Sequence, residues 1–270
     1  MRPKIVLGLL AAALSLAPGA PAEPPAAGCW RNWKTLRLET SSFFLRGNVE
    51  VKVDERADRT SVEVSARAKL MGAGVSRLWA RSVLDSASGR ALEHVYLQKR
   101  RARRFVFGTG SYSVERLEPQ NDPKAPLDRW TVRSHRDYPY PPDAQTPPGA
   151  VLDYYSMLLH LRRLPLHAPG DEAVMTAATS DGPREFRVKV AESRQTERSF
   201  IDLATGRERT VALREFRLLI VPTDPKQEGF LRMKGQAELW VEAESKTPVA
   251  IYGKIPKLPG HIDLKLAAIG

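Results

Sequence analysis

The sequence predicts a mainly β protein with a strongly curved antiparallel sheet or open barrel of about ten to twelve strands, and one main apolar helix packed on its concave face. Two observations support this fold class. Apolar and polar residues alternate with period two over most of the chain, and 21 Pro and 18 Gly residues separate the alternating runs. Because an open sheet of so many strands would leave long exposed edges, we expect the sheet to curl or close.

The first alternating runs predict an antiparallel hairpin with one face in water. Val49, Val51 and Val53 alternate with charged residues, and the alternation resumes at Val62 and Val64 after a turn signal. Turn signals also separate the later runs, at spacings typical of a meander. Similar apolar alternation predicts the remaining strands near residues 79–83, 95–97, 105–107, 112–114, 130–132, 186–190, 211–221, 239–241, 249–251 and 262–266.

One segment departs from the strand pattern. Residues 151–163 (VLDYYSMLLHLRR) do not alternate, follow a Pro-Pro-Gly breaker and end before Pro165, so we predict the main helix there. The segment is apolar on most sides, which indicates that it packs against the concave face of the sheet. In that position Tyr155, Leu158 and Leu159 would plug the groove of the sheet.

The N-terminus predicts export. Arg2 and Lys4 precede an apolar segment too short to span a bilayer, and a small-x-small cleavage site ends at Ala22. We therefore predict a signal peptide at residues 1–22 and a soluble, periplasmic product. The mature chain, residues 23–270, shows no repeat or linker and is expected to form a single β-rich domain.

Two alternatives to cleavage after Ala22 are an uncleaved anchor and a lipoprotein with Cys29 as its lipid-bearing residue. Cys29 is the sole cysteine of the sequence, so no intrachain disulfide can form. Loss of the two charges in the signal peptide lowers the formal net charge from +11 to +9, so the basic character belongs to the mature domain.

Catalytic and metal-binding motifs are missing from the sequence. It contains no Gly-x-Ser-x-Gly, His-Glu-x-x-His or Cys-x-x-Cys string and no phosphate-binding glycine loop. We expect no cofactor and no metal, and structural or exposed roles for the five scattered histidines. Asp153 has two interpretations, a general base in a cleft or stabilisation of the helix N-terminus, of which we favour the second.

Five cations occupy six positions at residues 99–104, next to Phe105 and Phe107. Aromatic and basic residues in alternation are typical of nucleic-acid binding, but we expect no nucleic-acid partner for an exported protein. The favoured interpretation is an exposed edge strand whose charges block aggregation. The functional interpretation is weak contact of Lys99, Arg101 and Arg103 with an anionic membrane surface.

Three strings resemble a known family. They are VLDYYSMLLHLRRLPLHAPGDE, REFRVKVAESRQTE and AELWVEAESKTPVAIYGKIPKLPGHIDLKL, and the resemblance covers about residues 75–269. The family is an exported bacterial family known only as domain of unknown function three-one-zero-eight. The resemblance implies a shape similar to the half-barrel of periplasmic lipoprotein carriers, in which a sheet wraps around a helical plug, and it implies no established activity.

Two hypotheses about function follow. The first is a non-enzymatic envelope protein that binds an amphipathic or lipid-like ligand, a lipoprotein or another envelope protein on its concave face. The second is a periplasmic hydrolase or lyase acting on an envelope polymer, with carboxylates such as Asp153 or Asp171 as acid and base. We favour the first hypothesis because the sequence offers no converging catalytic group. The sequence does not predict an oligomeric state.

Overall fold

The structure is a computed structural model that describes residues 30, 32–41, 45–70, 75–98, 101–120, 122, 125–142, 151–255 and 260–270. The predicted signal peptide at residues 1–22, the alternative lipid-bearing Cys29 and the basic Lys99 lie outside the described residues. No helix within the described part of the chain has the length and apolar character needed to cross a membrane.

Fifteen strands of the described residues form one sheet. They are β1 (Thr35–Ser41), β2 (Leu45–Glu55), β3 (Arg59–Leu70), β4 (Val75–Asp85), β5 (Ala91–Gln98), β6 (Arg101–Phe107), β7 (Ser111–Glu118), β8 (Thr131–Pro139), β9 (Val151–Leu152), β10 (Glu172–Thr179), β11 (Gly182–Asp202), β12 (Arg207–Pro222), β13 (Ala237–Glu242), β14 (Pro248–Gly253) and β15 (Ile262–Ile269). One α-helix, α1 (Tyr154–His160), lies between β9 and β10. Short 3-10 turns occur at Leu127–Arg129, Leu161–Arg163 and Phe230–Arg232.

The strands follow a meander that is interrupted at one point. Their order is β8-β7-β6-β5-β4-β3-β2-β1-β15-β14-β13-β12-β11-β10-β9. Neighbours in this order are antiparallel except β9, which runs parallel to β10, and the ends of β11 and β15 form an additional parallel pair. The antiparallel pairing of β1 with β15 places Leu36 opposite Ile269 in the middle of the sheet. The two edges of the sheet therefore belong to β8 and β9.

The two edge regions meet, and side chains join them. The Tyr112 hydroxyl on β7 donates to the Thr179 carbonyl at 2.9 Å and accepts from the Thr179 N–H at 3.2 Å. The Tyr138 hydroxyl on β8 donates to the Ser180 carbonyl at 2.7 Å. We call this junction of Tyr112, Tyr138, Thr179 and Ser180 the seam. The predicted fold class, a curved antiparallel sheet approaching a barrel, is confirmed.

The period-two pattern has the expected structural cause. Val51 and Val53 on β2 and Val62 and Val64 on β3 are buried, and the charged residues between them are exposed. Inward side chains from both halves of the sheet join one continuous apolar core. Burial of this apolar surface is the main force that favours the curved sheet over an open one.

The strand count exceeds the predicted ten to twelve because three strands were missed. β1 presents only Leu36 and Leu38 as buried apolar residues, and β9 has two residues that were assigned to the helix. β10 is buried at every position from Met175 to Thr179, so it shows no alternation. A strand covered on both faces loses the sequence signal that identifies a half-exposed strand.

The prediction of one helix over residues 151–163 is wrong in its boundaries. Val151–Leu152 forms β9, α1 spans only Tyr154–His160, and Leu161–Arg163 forms a 3-10 turn. Asp153 separates strand from helix because its Oδ1 accepts hydrogen bonds from two backbone N–H groups of the first helical turn. The favoured interpretation of Asp153 as a stabiliser of the helix N-terminus is therefore confirmed.

The helix lies inside the curve of the sheet. It contacts β3 and β4 on one side and β10 on the other, strands that are far apart in the sheet order. Met157 and Leu161 are fully buried in the main core. Tyr155, Leu158 and Leu159 are half-buried and pack against that core, so the predicted plug residues lie around the buried centre of the helix rather than at it.

The basic strand β6 is not an edge strand, contrary to the favoured prediction. It pairs with β5 on one side and β7 on the other. Arg104 on its outer face forms an ion pair with Glu115 of β7, and Ala102 joins a small outer core with Leu117 and Trp130. The prediction failed because the basic run by itself looks like an exposed edge strand. The carboxylate that pairs with Arg104 lies on the next strand, distant in sequence.

Candidate functional site

A cavity of about 310 Å³ lies beside the seam. Its walls come from β4, β5 and β6, from α1, from the end of β10 and from the turn before β13. Leu78, Phe105 and Leu231 supply apolar surface, while arginine and tyrosine side chains supply polar atoms. The cavity therefore combines an apolar wall with a polar, cationic one.

The cationic wall is organised around the hydroxyl of Tyr96. Arg103 Nη1 on β6 and Arg232 Nη2 on the Phe230–Arg232 turn each donate to this oxygen at 2.7 Å. Arg103 also donates to Ser180 Oγ of the seam at 3.0 Å. Both guanidinium groups lie near the Tyr96 ring, 5.9 Å and 4.8 Å from its centroid. Two cations from distant parts of the chain thus share one phenol oxygen as acceptor.

The proximity of the two cations has an energetic cost. Because both donor nitrogens lie 2.7 Å from the same oxygen, they are at most twice that distance apart. Two unit charges at such a separation repel by about 3 kcal/mol at an effective dielectric constant of about 20. An anion placed between Arg103 and Arg232 would attract both groups and offset this repulsion.

Carboxylates near the cavity are already engaged. Arg184 lies 3.4 Å from Asp181 and 3.5 Å from Glu228. Asp153 accepts four hydrogen bonds from surrounding donors, so its oxygens are occupied. Within the described ranges, neither Arg103 nor Arg232 forms an ion pair with a carboxylate. These two guanidinium groups thus lack a direct carboxylate partner, although Glu228 lies near enough to Arg232 to interact with its charge.

The turn that carries Arg232 has an uncommon backbone. Leu231 and Arg232 have φ values of 52° and 61°, in the left-handed region that side chains disfavour. The cost of such a conformation is on the order of 1–3 kcal/mol for each residue. Phe230 anchors the turn in the core, where its ring meets Tyr154 and Phe186 edge-on. Buried packing thus maintains the strained backbone that places Arg232 beside Tyr96.

A buried polar network adjoins the cavity through His94 and Asp153. Ser82 Oγ donates to Asp153 Oδ1 at 2.8 Å, and His94 Nδ1 lies 3.0 Å from the same Ser82 oxygen. Ser156 Oγ donates to Asp153 Oδ2 at 2.5 Å. All four side chains are buried. The network joins α1 to β4 and β5, so it fixes the helix inside the sheet.

The network also determines the state of His94. Since the Ser82 hydroxyl has one hydrogen and donates it to Asp153, His94 Nδ1 must be the donor in its contact with Ser82. Burial holds the pKa of His94 below its ordinary value of 6.5, although the Asp153 carboxylate opposes this shift. Burial therefore favours the neutral form of His94.

The second predicted carboxylate lies elsewhere. Asp171 does not line the cavity that contains Asp153. Its Oδ2 accepts from the backbone N–H groups of His167 and Ala168, and these hydrogen bonds lower the pKa of Asp171 below its ordinary value. The structure therefore gives Asp171 a turn-stabilising contact and does not unite the two carboxylates of the hydrolase hypothesis.

The three predicted plug residues do not share one site. Tyr155 lines the cavity beside the seam, where its ring lies 5.8 Å from that of His94, and burial raises the pKa of its hydroxyl. Leu159 lines a separate space of about 120 Å³ on the other side of α1. Leu158 packs on the main core and lines neither space. Only Tyr155 of the three contributes to the candidate site.

The two described residues of the predicted basic contact, Arg101 and Arg103, also differ in position. Arg101 and Arg103 are two residues apart and therefore lie on the same side of β6. Arg101 is exposed there, in a groove that continues outward from the cavity. Arg103 reaches inward and lines both the groove and the cavity. The structure thus places Arg103 in the candidate site and Arg101 at its mouth.

No group of three or more His, Cys, Asp and Glu side chains suitable for a metal ion occurs among the residues that the structure describes. His160 and His167, the pair nearest in sequence, line different cavities. Burial lowers the pKa of His160, which favours its neutral form.

Sequence reasoning missed Tyr96 and Arg232. The strand β5 was predicted from Val95 and Leu97, but Leu97 packs on the outer core, and His94 and Tyr96 face the cavity. Apolar residues on both faces of this strand made the alternation ambiguous. Arg232 lies in a turn without a motif, so no local signal indicated its role.

Comparisons with known proteins agree with this architecture. A family model described as a protein of unknown function (DUF3108) matches residues 33–266. A β-barrel-like protein of domain of unknown function DUF1849 from Brucella abortus has a crystal structure with a TM-score of 0.53 to this chain, at 9% identity, over 87% of this chain and 95% of that chain. No curated protein matches.

At such low identity, the likeness to the solved structure shows a shared β-barrel-like fold and nothing of function. The family match covers most of the residues from β1 to β15. The resemblance seen in the sequence is thereby confirmed, and the chain belongs to the DUF3108 family of proteins of unknown function.

Proposed function

We propose that this protein is an exported, non-enzymatic envelope protein that binds an amphipathic, lipid-like ligand in the cavity beside the seam. The observation that supports the proposal is the combination, within one cavity of about 310 Å³, of apolar side chains and two guanidinium groups that form no direct ion pair with the described residues. Cavities that bind small molecules begin at about this volume, and a few oriented polar groups in them fix the position of the ligand.

The two ends of the cavity suit the two parts of such a ligand. Phe105 and Ala178 belong to the main core, so an acyl chain entering past them would leave water for an apolar environment. Arg103 and Arg232 lie toward the groove that continues outward. The ligand would therefore insert its chain and leave its polar end near the mouth. A free lipid and the acyl chain of a lipoprotein both have this chemistry.

The hydrolase or lyase hypothesis receives no support from the geometry. It requires two carboxylates that flank a substrate, and glycoside hydrolases hold them about 5–10 Å apart across the scissile bond. Asp153 is occupied by four donors, and Asp171 stabilises a turn outside the cavity. We therefore place Asp153 in the supporting framework of the binding site.

Calorimetric titration with a water-soluble amphiphile tests the proposal. Octyl glucoside has one chain and no charge, so it reports on the apolar part of the cavity alone. We expect it to bind the parent protein and to bind a Leu78→Trp variant about tenfold more weakly or worse, because Leu78 lines the cavity and indole would fill it.

The matched control is Leu97→Trp. Leu97 is also half-buried and lies on the neighbouring strand, but it packs on the outer core. This variant should bind octyl glucoside like the parent. Absence of binding to the parent, or equal binding by the Leu78→Trp variant, would contradict the proposed function.

A further inference from the structure

The cationic wall of the cavity retains donors that the described part of the chain does not use. Tyr96 Oη accepts from both Arg103 and Arg232, so its own hydrogen points away from them. Within the described ranges, Arg103 bonds Tyr96 and Ser180 through Nη1, and Arg232 bonds Tyr96 through Nη2. A guanidinium group carries five N–H donors, so each arginine keeps several for a ligand.

We propose that Arg103, Arg232 and Tyr96 form a subsite for a phosphate-type oxyanion. This inference rests on the proposed function and deepens it, because the oxyanion would be the polar end of the amphipathic ligand. Arginine binds phosphate oxygens through paired N–H groups, with charge and geometry both matched. The shared phenol oxygen brings two such groups together, and an anion between them would relieve their mutual repulsion.

The number and origin of the donors favour phosphate over carboxylate. Tyr96 lies on β5, Arg103 on β6 and Arg232 on a turn far along the chain, so three donor groups come from three separate elements. A phosphate group offers acceptor oxygens in a tetrahedral arrangement, which suits donors from three directions. A carboxylate has two oxygens in one plane and suits a single guanidinium group.

The subsite is held in place before any ligand arrives. Ser180 of the seam fixes Arg103, and the left-handed backbone at Leu231 and Arg232 fixes the other cation. Strained backbone maintained by a buried anchor is common at binding sites, where it keeps a side chain in a functional position. Preorganised donors lose little conformational freedom on binding, which strengthens the interaction.

The acidic residues of the cavity have their direct hydrogen-bond and ion-pair partners elsewhere, although the charge of Glu228 also acts on Arg232. Asp181 and Glu228 flank Arg184, and Asp153 is enclosed by its four donors. Arg103 and Arg232 therefore keep N–H groups with which an anionic ligand can pair directly.

Calorimetric titration with three probes tests the subsite and identifies the source of the phosphate. Dihexanoylphosphatidylglycerol carries an anionic phosphate and two short chains, octyl glucoside has a chain without charge, and inorganic phosphate has charge without a chain. We expect Arg103→Gln and Arg232→Gln each to weaken binding of the anionic lipid about 10- to 100-fold, as loss of a charge-assisted hydrogen bond predicts. Binding of octyl glucoside should change less than about twofold.

The matched control is Arg104→Gln. Arg104 follows Arg103 directly, has a similar exposure and faces the opposite side of β6, where it pairs with Glu115. This variant should bind all three probes like the parent. Thermal melts of each variant establish that it is folded, and two independent arginine substitutions keep the test valid if one of them unfolds the protein.

The outcomes separate the subsite from the proposed function. Weaker binding of the anionic lipid with unchanged binding of octyl glucoside supports both. If inorganic phosphate binds the parent as tightly as the lipid does and the arginine variants lose it, the subsite holds and its ligand is a free phosphate. If both arginine variants bind the anionic lipid like the parent, the subsite is refuted, whereas the proposed function stands if octyl glucoside still binds.

Discussion

Removal of one hydroxyl at the seam should destabilise the protein far more than the size of the change suggests. Tyr112 is almost fully buried, and its hydroxyl satisfies both the N–H and the carbonyl of Thr179 across the two edge regions. Tyr112→Phe keeps the ring and leaves two backbone groups of a buried residue without this partner. An unsatisfied buried group costs about 1–3 kcal/mol, so we expect a loss of about 2–4 kcal/mol in the free energy of unfolding.

Urea denaturation measures this loss. With a slope of about 1–3 kcal/mol per molar urea, the midpoint should fall by about 1 M or more. Hydrogen exchange supplies the local readout, because the Thr179 amide loses its acceptor and should exchange faster. The increase in its exchange rate should exceed that of the amides of β13, three strands away in the sheet. A local change of this kind distinguishes a weakened seam from uniform destabilisation.

Tyr140→Phe is the matched control. Its ring stacks on Tyr112 in the same aromatic cluster, and its hydroxyl donates to the Gly108 carbonyl in an exposed position. Water can replace that hydrogen bond, so we expect a loss below about 0.5 kcal/mol. If Tyr112→Phe and Tyr140→Phe were equally stable, the seam would not depend on the buried hydroxyl and the reasoning would be refuted.

Three further predictions concern the helix, the buried histidine and the N-terminus. Met157→Asp should destabilise the domain by about 3 kcal/mol or more in thermal melts, and by more than Leu158→Asp, because only Met157 is fully buried. The free energy of unfolding should fall as the pH drops below 6.5, because burial lowers the pKa of His94 in the folded state and the unfolded chain then binds more protons. His94→Gln should reduce this slope, which for one proton is about 1.4 kcal/mol per pH unit. N-terminal sequencing of the exported product should begin at Glu23.

Each of these predictions has a contradicting outcome. Equal melting of the parent and both helix variants would place α1 at the periphery. A slope in the same pH window that persists unchanged without His94 would assign the effect to His160, whose pKa burial also lowers. Carboxylates with lowered pKa values, such as Glu50, act in a lower window, below 4.5. A blocked, acylated Cys29 would show that the protein is a lipoprotein.

The fold was predictable at strands such as β2 and β3, where one face is exposed and the other carries several apolar residues. The β2 and β3 hairpin follows directly from its alternating valines, because water on one side forces charged residues to alternate with apolar ones. β10 escaped prediction because it is buried at consecutive positions from Met175 to Thr179. Burial on both faces depends on the closure of the sheet, which no local pattern encodes.

The candidate site was predictable only in part. Arg103 was identified from the basic run, although with the wrong surroundings, and Asp153 was assigned correctly to the helix N-terminus. Its partner His94 lies far away in sequence and meets it only after the sheet has curved. Arg232 depends on a strained turn that the residue types do not reveal. Contacts between distant segments define this site, so a reading of local patterns could not assemble it.

The manner in which the sheet closes accounts for the existence of the cavity. Strands joined by backbone hydrogen bonds lie about 4.8 Å apart and leave no room for a ligand between them. At the seam, tyrosine rings stand between β7 or β8 and the end of β10, and they hold these strands farther apart than a ladder would. Arg103 on β6 reaches the same end of β10 through Ser180, so the cavity and the seam share a wall. A fully closed ladder would increase the number of backbone hydrogen bonds and eliminate the space in which Arg103 and Arg232 meet.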